Sequence, residues 1–177
     1  MIEKDCSTEN PREHWEFIEC KNKVALDLGC GRWESVEYRD PDWYNTPDWL
    51  VSKGASHVYA YDIDSKEIEW YNNNVTPYSP VTAIHRKIDT VDTLREILNT
   101  HNPKVVKCDI EGAEVTFLEL TDEEFSKIEF YALETHSDEL YDSFMNKFKT
   151  LQYEIIAVLD LTHAKPMKAI FAKRCDI

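Results

Sequence analysis

The fold is decided by residues 24–31, which read VALDLGCG. Apolar residues on both sides of one aspartate predict a buried β-strand, and the glycines that follow let the chain turn sharply. In open parallel sheets, ligands bind beyond the carboxyl ends of the strands. The segment therefore predicts a strand that ends in a ligand-binding turn, with Asp27, Gly29, Cys30 and Gly31 at the ligand.

Further strands and helices alternate on the C-terminal side of this segment. Apolar runs predict strands. Between these strands lie stretches with helical periodicity, and Ser, Thr and Asp residues at their starts predict helix N-termini. The expected strands are residues 57–62, 81–87, 104–109 and 128–134. Such alternation is typical of a parallel sheet with helices on both faces.

The end of the chain departs from this alternation. Two strands are expected at residues 153–161 and 168–174, and the six residues between them are too few for a parallel crossover. This pair must therefore be antiparallel. The sequence thus predicts an α/β fold of three layers, Rossmann-like, with a mostly parallel seven-stranded sheet and a C-terminal antiparallel hairpin.

Composition limits the class of protein. The 177 residues suit one domain, residues 1–177, in which residues 1–22 are expected to form an N-terminal helical segment. No apolar run approaches the roughly 20 residues that span a bilayer, and the charged start is not typical of a secretory signal. Five scattered cysteines are expected to be reduced thiols of a cytoplasmic protein, and the lack of a long apolar run predicts no membrane partner. A net charge of −14 disfavours nucleic acid as a partner, although a local basic groove remains open.

The second predicted strand ends in Asp62, whose carboxylate can accept hydrogen bonds from ribose hydroxyls. A dinucleotide site would require a third glycine, and Glu34 occupies that position. S-adenosylmethionine has a ribose and a sulfonium cation but no phosphate, which suits acidic strand ends. The aspartates near strand ends are Asp27, Asp62, Asp64, Asp89 and Asp109.

Several segments resemble the FkbM family of methyltransferases, in the order that the family has them. Residues 106–114, VKCDIEGAE, resemble its K-I-D-x-E-G-A-E signature. Residues 88–94, IDTVDTL, resemble its D-T-L-D segment, and residues 133–136, LETH, its E-x-H. Residues 61–64 and the asparagines 72–74 resemble its F-E-P-x turn and the end of the helix that follows. After the first strand, however, the chain lacks the family's Gly-Ala-Asn-x-Gly.

The resemblance implies a class I methyltransferase fold, S-adenosylmethionine as the methyl donor, and O-methylation. Carried over to this sequence, it implies that Gly29 and Gly31 line the donor and that Asp62 holds its ribose. It places Ile63 against the adenine and Asp89 near the adenine amino group. Asp109 is then expected to face the methionine end and the acceptor.

Four residues are candidates for catalysis, because residues two apart on an extended segment point the same way. Asp109 and Glu111 have this spacing, as do Glu134 and His136. In one interpretation, His136 or Glu111 is the general base. In another, Asp109, Glu111 and Glu134 hold a divalent metal that acidifies the acceptor hydroxyl. In a third, Glu111 and Glu114 only cap the following helix.

An aromatic insertion, residues 33–45, follows the first strand. We expect it, with the start of the next helix, to form a lid over the acceptor, because aromatic rings stack on planar or sugar-like groups and arginine binds anions. Packing of these rings over the core is the structural alternative. The residues concerned are Arg32, Trp33, Tyr38, Arg39, Trp43, Tyr44 and Trp49.

The function that the sequence favours is methylation of a hydroxyl on a small-molecule or sugar-like acceptor. The altered loop at Arg32 and Trp33 leaves open a non-catalytic module that binds S-adenosylmethionine, and the loop's arginines leave open an O-methyltransferase of RNA ends or caps. The missing third glycine and the terminal hairpin disfavour a nicotinamide oxidoreductase. The sequence indicates neither the acceptor nor the oligomeric state.

Overall fold

The computed structural model of the chain describes residues 1–5, 15–31, 46–77, 79–161 and 167–175. The strands are β1 (Ile2–Asp5), β2 (Val24–Leu28), β3 (His57–Asp62), β4 (Val81–His85), β5 (Val105–Cys108), β6 (Phe130–Thr135), β7 (Tyr153–Asp160) and β8 (Lys168–Arg174). The α-helices are α1 (Thr46–Ser52), α2 (Ser65–Asn74), α3 (Val91–His101), α4 (Asp122–Phe125) and α5 (Asp138–Thr150), and a 3₁₀ helix spans Ala113–Glu119.

The described strands form one sheet in the order β1-β7-β8-β6-β5-β2-β3-β4. Only β8 runs antiparallel to its neighbours, pairing with β6 and β7, while the other pairs are parallel. The Rossmann-like fold and the C-terminal antiparallel hairpin predicted from the sequence are therefore confirmed.

The sheet has eight strands rather than the seven predicted, because Ile2–Asp5 pairs in parallel with the edge strand β7. An edge strand has unpaired backbone N–H and C=O groups, and a short N-terminal segment can satisfy them. The helical prediction for residues 1–22 is thus wrong for β1, and Trp15–Phe17 form a turn. Residues 6–14 lie outside the described residues.

The sheet separates two hydrophobic clusters, which gives the three layers. Alternation along β2 directs Ala25 to the cluster that contains residues of α1 and α2. It directs Leu26 and Leu28 to the cluster that contains residues of α3, α4 and α5. Both faces are thus covered by helices, as a parallel sheet requires. No helix in the described part of the chain is long and apolar enough to span a membrane.

Two helices begin at side-chain caps close to the predicted starts. The Thr90 hydroxyl accepts a hydrogen bond from the backbone N–H of Thr93, at 3.2 Å, and the Ser137 hydroxyl accepts one from Leu140, at 3.1 Å. Such caps satisfy N–H groups that a helix N-terminus leaves unpaired. They fix where α3 and α5 leave the carboxyl edge of the sheet, where the candidate site lies.

Candidate functional site

The register of the central strands brings four chain segments to one edge of the sheet. Leu28 of β2 lies opposite Tyr61 of β3 and Cys108 of β5, and Cys108 lies opposite Leu133 of β6. The next residue in each strand therefore falls in one row, which consists of Asp62, Gly29, Asp109 and Glu134. All four are predicted site residues, and pairing of the parallel strands alone places them together.

Gly29 is the tightest point of this edge. Its φ is +75°, and its N–H donates to the carbonyl of Tyr61 at 2.9 Å. A Cβ atom at this position would lie 1.7 Å from the backbone oxygen of Asp109. Only glycine fits, because both the left-handed backbone and the close approach of β5 exclude a side chain.

The Asp62 carboxylate is fixed by backbone groups on both sides. Its Oδ2 accepts the N–H of Gly31 at 2.7 Å, and its Oδ1 accepts the N–H of Asp64 at 2.8 Å. An ionised carboxylate has about four lone-pair sites, so each oxygen can accept a further hydrogen bond. Ile63, the next residue, is 63% exposed. The edge thus offers a prepositioned acceptor for two hydroxyls beside an apolar surface.

Asp27 lies beneath the glycine turn and is completely buried. It faces Lys107 across neighbouring strands, with Oδ1 and Nζ 3.1 Å apart, and Lys107 also donates to the carbonyl of Gly29 at 2.7 Å. Burial opposes the charge on Lys107, but attraction to Asp27 and then to Asp109 outweighs it and raises the pKa of Lys107. Asp27 therefore supports the turn from below, and its side chain lies away from the surface where the sequence placed a ligand.

Three other residues predicted to bind the cofactor have structural partners. Cys30 is buried, and its carbonyl accepts the hydroxyl of Tyr71 at 2.7 Å. Asp64 caps α2 by accepting the N–H of Lys66 at 2.8 Å. Asp89 forms a 2.9 Å ion pair with Lys87, and this contact lowers the pKa of Asp89. The side chains of Asp64 and Asp89 are thus engaged and Cys30 is buried, so Asp62 is the acid of this edge best placed to bind a ligand.

The four predicted catalytic residues come together, with the carboxylates of three of them around the fourth, His136. The Nε2 atom of His136 lies 3.5 Å from Glu134, 3.8 Å from Asp109 and 3.8 Å from Glu111. Its Nδ1 atom lies 2.8 Å from Oε1 of Glu114. We call these five residues the His136 cluster.

Glu114 was expected only as a helix cap; its Oε1 accepts the N–H of Ile110 at 3.2 Å, but this N–H lies before the 3₁₀ helix, which has no side-chain cap. Its side chain is nevertheless completely buried and reaches His136 as well. A buried carboxylate beside a histidine is not what a solvated helix cap requires. Glu114 lies five residues after Asp109, across a turn into a 3₁₀ helix. Residue spacing alone therefore did not predict its contact with His136.

The close carboxylates shift the proton affinities in the His136 cluster. The short polar contact with Glu114, then that with Glu134, raises the pKa of His136 to about 10 against the opposing effect of burial. Burial raises the pKa of Asp109 to about 7, and Lys107 opposes this shift. In the ligand-free chain, His136 is therefore protonated at neutral pH, and Asp109 holds a proton more readily than an exposed aspartate does.

The turn into the 3₁₀ helix holds its backbone in an uncommon conformation. Glu111 has a φ of +52° and Gly112 a φ of +95°. A left-handed backbone at a residue other than glycine is uncommon and clusters at functional sites. The Glu111 side chain is 82% exposed, so its carboxylate stands at the mouth of the His136 cluster.

A cleft of about 390 Å³ opens next to the His136 cluster, between the 3₁₀ helix and α5. Its surface is mostly apolar, and Val115 at its rim is 46% exposed. The lining residues are Gly112, Val115, Leu118, His136, Ser137, Glu139, Leu140 and Ser143. A group with an apolar body can therefore reach the cluster from this side.

Trp49 is the described member of the predicted aromatic lid. It packs against the core cluster that contains α1, and Nζ of Lys53 lies 4.9 Å from the centre of its ring. For Trp49, the structural alternative is therefore correct. Its partners in the prediction, Arg32, Trp33, Tyr38, Arg39, Trp43 and Tyr44, lie outside the described residues.

Known structures share this fold at low sequence identity. A Streptococcus pneumoniae protein proposed as a tRNA (m1A22) methyltransferase, solved with S-adenosyl-L-methionine, is 16% identical with a TM-score of 0.61, over 100% of this chain and 76% of that one. TrmK of M. capricolum, solved with S-adenosyl-homocysteine, is 18% identical with a TM-score of 0.60, over 92% and 66% of the two chains. A ribosomal protein L11 methylase from Lactobacillus delbrueckii is 11% identical with a TM-score of 0.58, over 96% and 79%.

These likenesses establish a Rossmann-like methyltransferase fold for the chain. No protein-family model and no curated protein matches the sequence. The resemblance to the FkbM family therefore stays a prediction.

Proposed function

We propose that this protein is a methyltransferase that uses S-adenosylmethionine as its methyl donor. The observation that carries the proposal is the Asp62 carboxylate, held by two backbone N–H groups directly beside the turn at Gly29 and Gly31. This arrangement suits a ribose with two free hydroxyls. Neighbours of the same fold solved with S-adenosylmethionine and S-adenosyl-homocysteine support it.

The row of strand ends suggests how the donor lies. With its ribose on Asp62, its adenine would lie against the exposed side chain of Ile63, towards Asp89. Its methionine end would extend past Gly29 to Asp109, the next strand end in the row. The sulfonium would then lie near the His136 cluster, whose carboxylates attract a cation.

Replacing Asp62 with alanine should weaken S-adenosylhomocysteine binding by about 10- to 100-fold, the effect of losing a charge-assisted hydrogen-bonding group. Isothermal titration calorimetry measures this change. Glu69→Gln, on the exposed surface of α2, is the matched control and should bind as the wild type does. Equal affinity in Asp62→Ala, with an unchanged circular dichroism spectrum, would place the ribose elsewhere.

For the acceptor, we propose a hydroxyl on a small molecule whose apolar part lies in the cleft beside His136. The acceptor oxygen attacks the methyl carbon, the carbon–sulfur bond breaks, and its electron pair stays on sulfur. The hydroxyl proton passes to a base. Glu111 suits that role better than His136, because the raised pKa of His136 leaves it protonated at neutral pH.

Glu111→Gln should lower the turnover number by about 10²- to 10⁴-fold, the usual contribution of a general base. The amide cannot take the proton, but the φ of +52° and the shape of the side chain are retained. Transfer of labelled methyl groups to small-molecule, RNA and protein fractions of a cell extract gives the rate and the acceptor class together. Glu123→Gln, an exposed residue of α4, is the control.

Undiminished transfer by Glu111→Gln would remove Glu111 from the mechanism. Transfer mainly to the RNA or protein fraction would assign the acceptor to the classes named for the structural neighbours. Binding of the donor without transfer to any fraction would favour the non-catalytic module.

A further inference from the structure

We propose that Asp109, Glu114 and His136 bind one divalent metal ion. Each offers a ligand atom, and these atoms all lie within 4.8 Å of one another. Metal–ligand bonds of about 2.0–2.2 Å place ligand atoms up to about 4.3 Å apart. Small side-chain movements therefore suffice to bring all three ligand atoms to one ion. The set includes two of the predicted catalytic residues and adds Glu114, which was expected only to cap a helix.

Unsatisfied polar atoms in the described residues point to a missing ligand. The Oε2 atom of Glu114 is buried and has no hydrogen-bond partner among the described residues. Neither ring nitrogen of His136 has a well-directed partner either, since the 2.8 Å contact of Nδ1 with Glu114 is short but poorly aligned. A buried carboxylate oxygen or ring nitrogen without a partner is unfavourable, and a cation bound between them would satisfy both.

Charge in the His136 cluster favours a cation in the same place. Four carboxylates, those of Asp109, Glu111, Glu114 and Glu134, lie within 4 Å of the one imidazole. Lys107 attracts Asp109, but it is paired with Asp27 and donates to the carbonyl of Gly29, and it forms no ion pair with Glu111, Glu114 or Glu134 among the described residues. A divalent ion would offset the repulsion among these carboxylates, and its binding to the imidazole would displace the proton that His136 holds in the ligand-free chain.

The ligand types indicate a divalent ion of a first-row transition metal, such as Mn²⁺. Carboxylates suit Mg²⁺, Ca²⁺ and Mn²⁺, while an imidazole ligand favours transition metals over Mg²⁺ and Ca²⁺. Three protein ligands leave coordination positions free for an acceptor oxygen, as at catalytic metal sites. Such an ion would lower the pKa of an acceptor hydroxyl. This role rests on the proposed methyl transfer.

The test is a titration of the whole chain with Mn²⁺, followed by electron paramagnetic resonance, without S-adenosylmethionine. We expect one bound Mn²⁺ per chain. Glu114→Gln and Asp109→Asn should each weaken its binding by at least about 10-fold. Glu119→Gln, an exposed residue at the end of the same 3₁₀ helix, is the matched control and should bind Mn²⁺ as the wild type does.

The position of the ion is read from the wild type, so the test does not depend on the stability of variants. Bound Mn²⁺ should broaden the ring signals of His136 in an NMR spectrum and leave those of His57 and His101 sharp. Absence of a bound ion in the wild type, or broadening confined to other histidines, would overturn the proposal. Calorimetry with S-adenosylhomocysteine in excess chelator tests donor binding separately, so the failure of one proposal is distinguishable from the failure of the other.

Discussion

Lys107→Met should lower the free energy of unfolding by about 3–5 kcal/mol, the usual effect of removing one partner of a buried ion pair. Asp27 has no exposed surface, so the substitution leaves its carboxylate buried without a cation. It also removes the hydrogen bond to the carbonyl of Gly29, at 2.7 Å, that supports the glycine turn. Urea unfolding followed by circular dichroism measures the loss.

Two further variants identify the cause of this loss. Lys104→Met removes a lysine three residues earlier, which is 38% exposed and 3.9 Å from Glu129, and should cost less than about 1 kcal/mol. The double variant Asp27→Asn, Lys107→Met should be more stable than Lys107→Met alone, because no unpaired charge remains buried. If the free energy of unfolding of Lys107→Met lay within about 1 kcal/mol of the wild-type value, the Asp27–Lys107 pair would not support the glycine turn.

Gly29→Ala should lower the free energy of unfolding by about 3 kcal/mol or more, since it adds a steric clash to left-handed backbone strain. The new Cβ would meet the backbone oxygen of Asp109 at 1.7 Å, and backbone atoms cannot rotate away as a flexible side chain can. Either β2 or β5 must move, which would misalign the row of strand ends. Binding of S-adenosylhomocysteine should be lost together with stability.

Gly112→Ala provides a control that isolates the clash. Its φ of +95° is also left-handed, but a Cβ there would meet no atom within 4 Å. It should therefore cost about 1–2 kcal/mol, the strain alone. Equal effects of the two substitutions in urea unfolding would contradict the close approach of β5 to the glycine turn.

Most of the fold was predictable because its signals are local. The limits of β3 and β8 are those expected, and α3 and α5 are capped by Thr90 and Ser137, two of the predicted caps. The short loop before β8 correctly implied an antiparallel hairpin. The strand β1 was not predictable in this way, since it depends on pairing with β7, more than 150 residues away in the chain.

The candidate site was predictable only where strand ends determine it. Asp62, Gly29, Asp109 and Glu134 share a row because parallel strands end at one edge. Glu114 depends on the left-handed turn before the 3₁₀ helix, which residue spacing does not reveal. The pairing of Lys107 with Asp27 could have been predicted from the sequence. A lysine at a buried position of one strand must pair with a buried aspartate opposite it in the neighbouring strand.

Binding of S-adenosylhomocysteine to the wild-type chain decides whether the row of strand ends is a site for a sulfur nucleoside. Isothermal titration calorimetry should show saturable binding of this nucleoside and of S-adenosylmethionine, and no measurable binding of NAD. A chain that folds, as judged by circular dichroism, yet binds neither sulfur nucleoside would show that Asp62 and the glycine turn do not form this site. Tighter binding of NAD would equally contradict a site for a sulfur nucleoside.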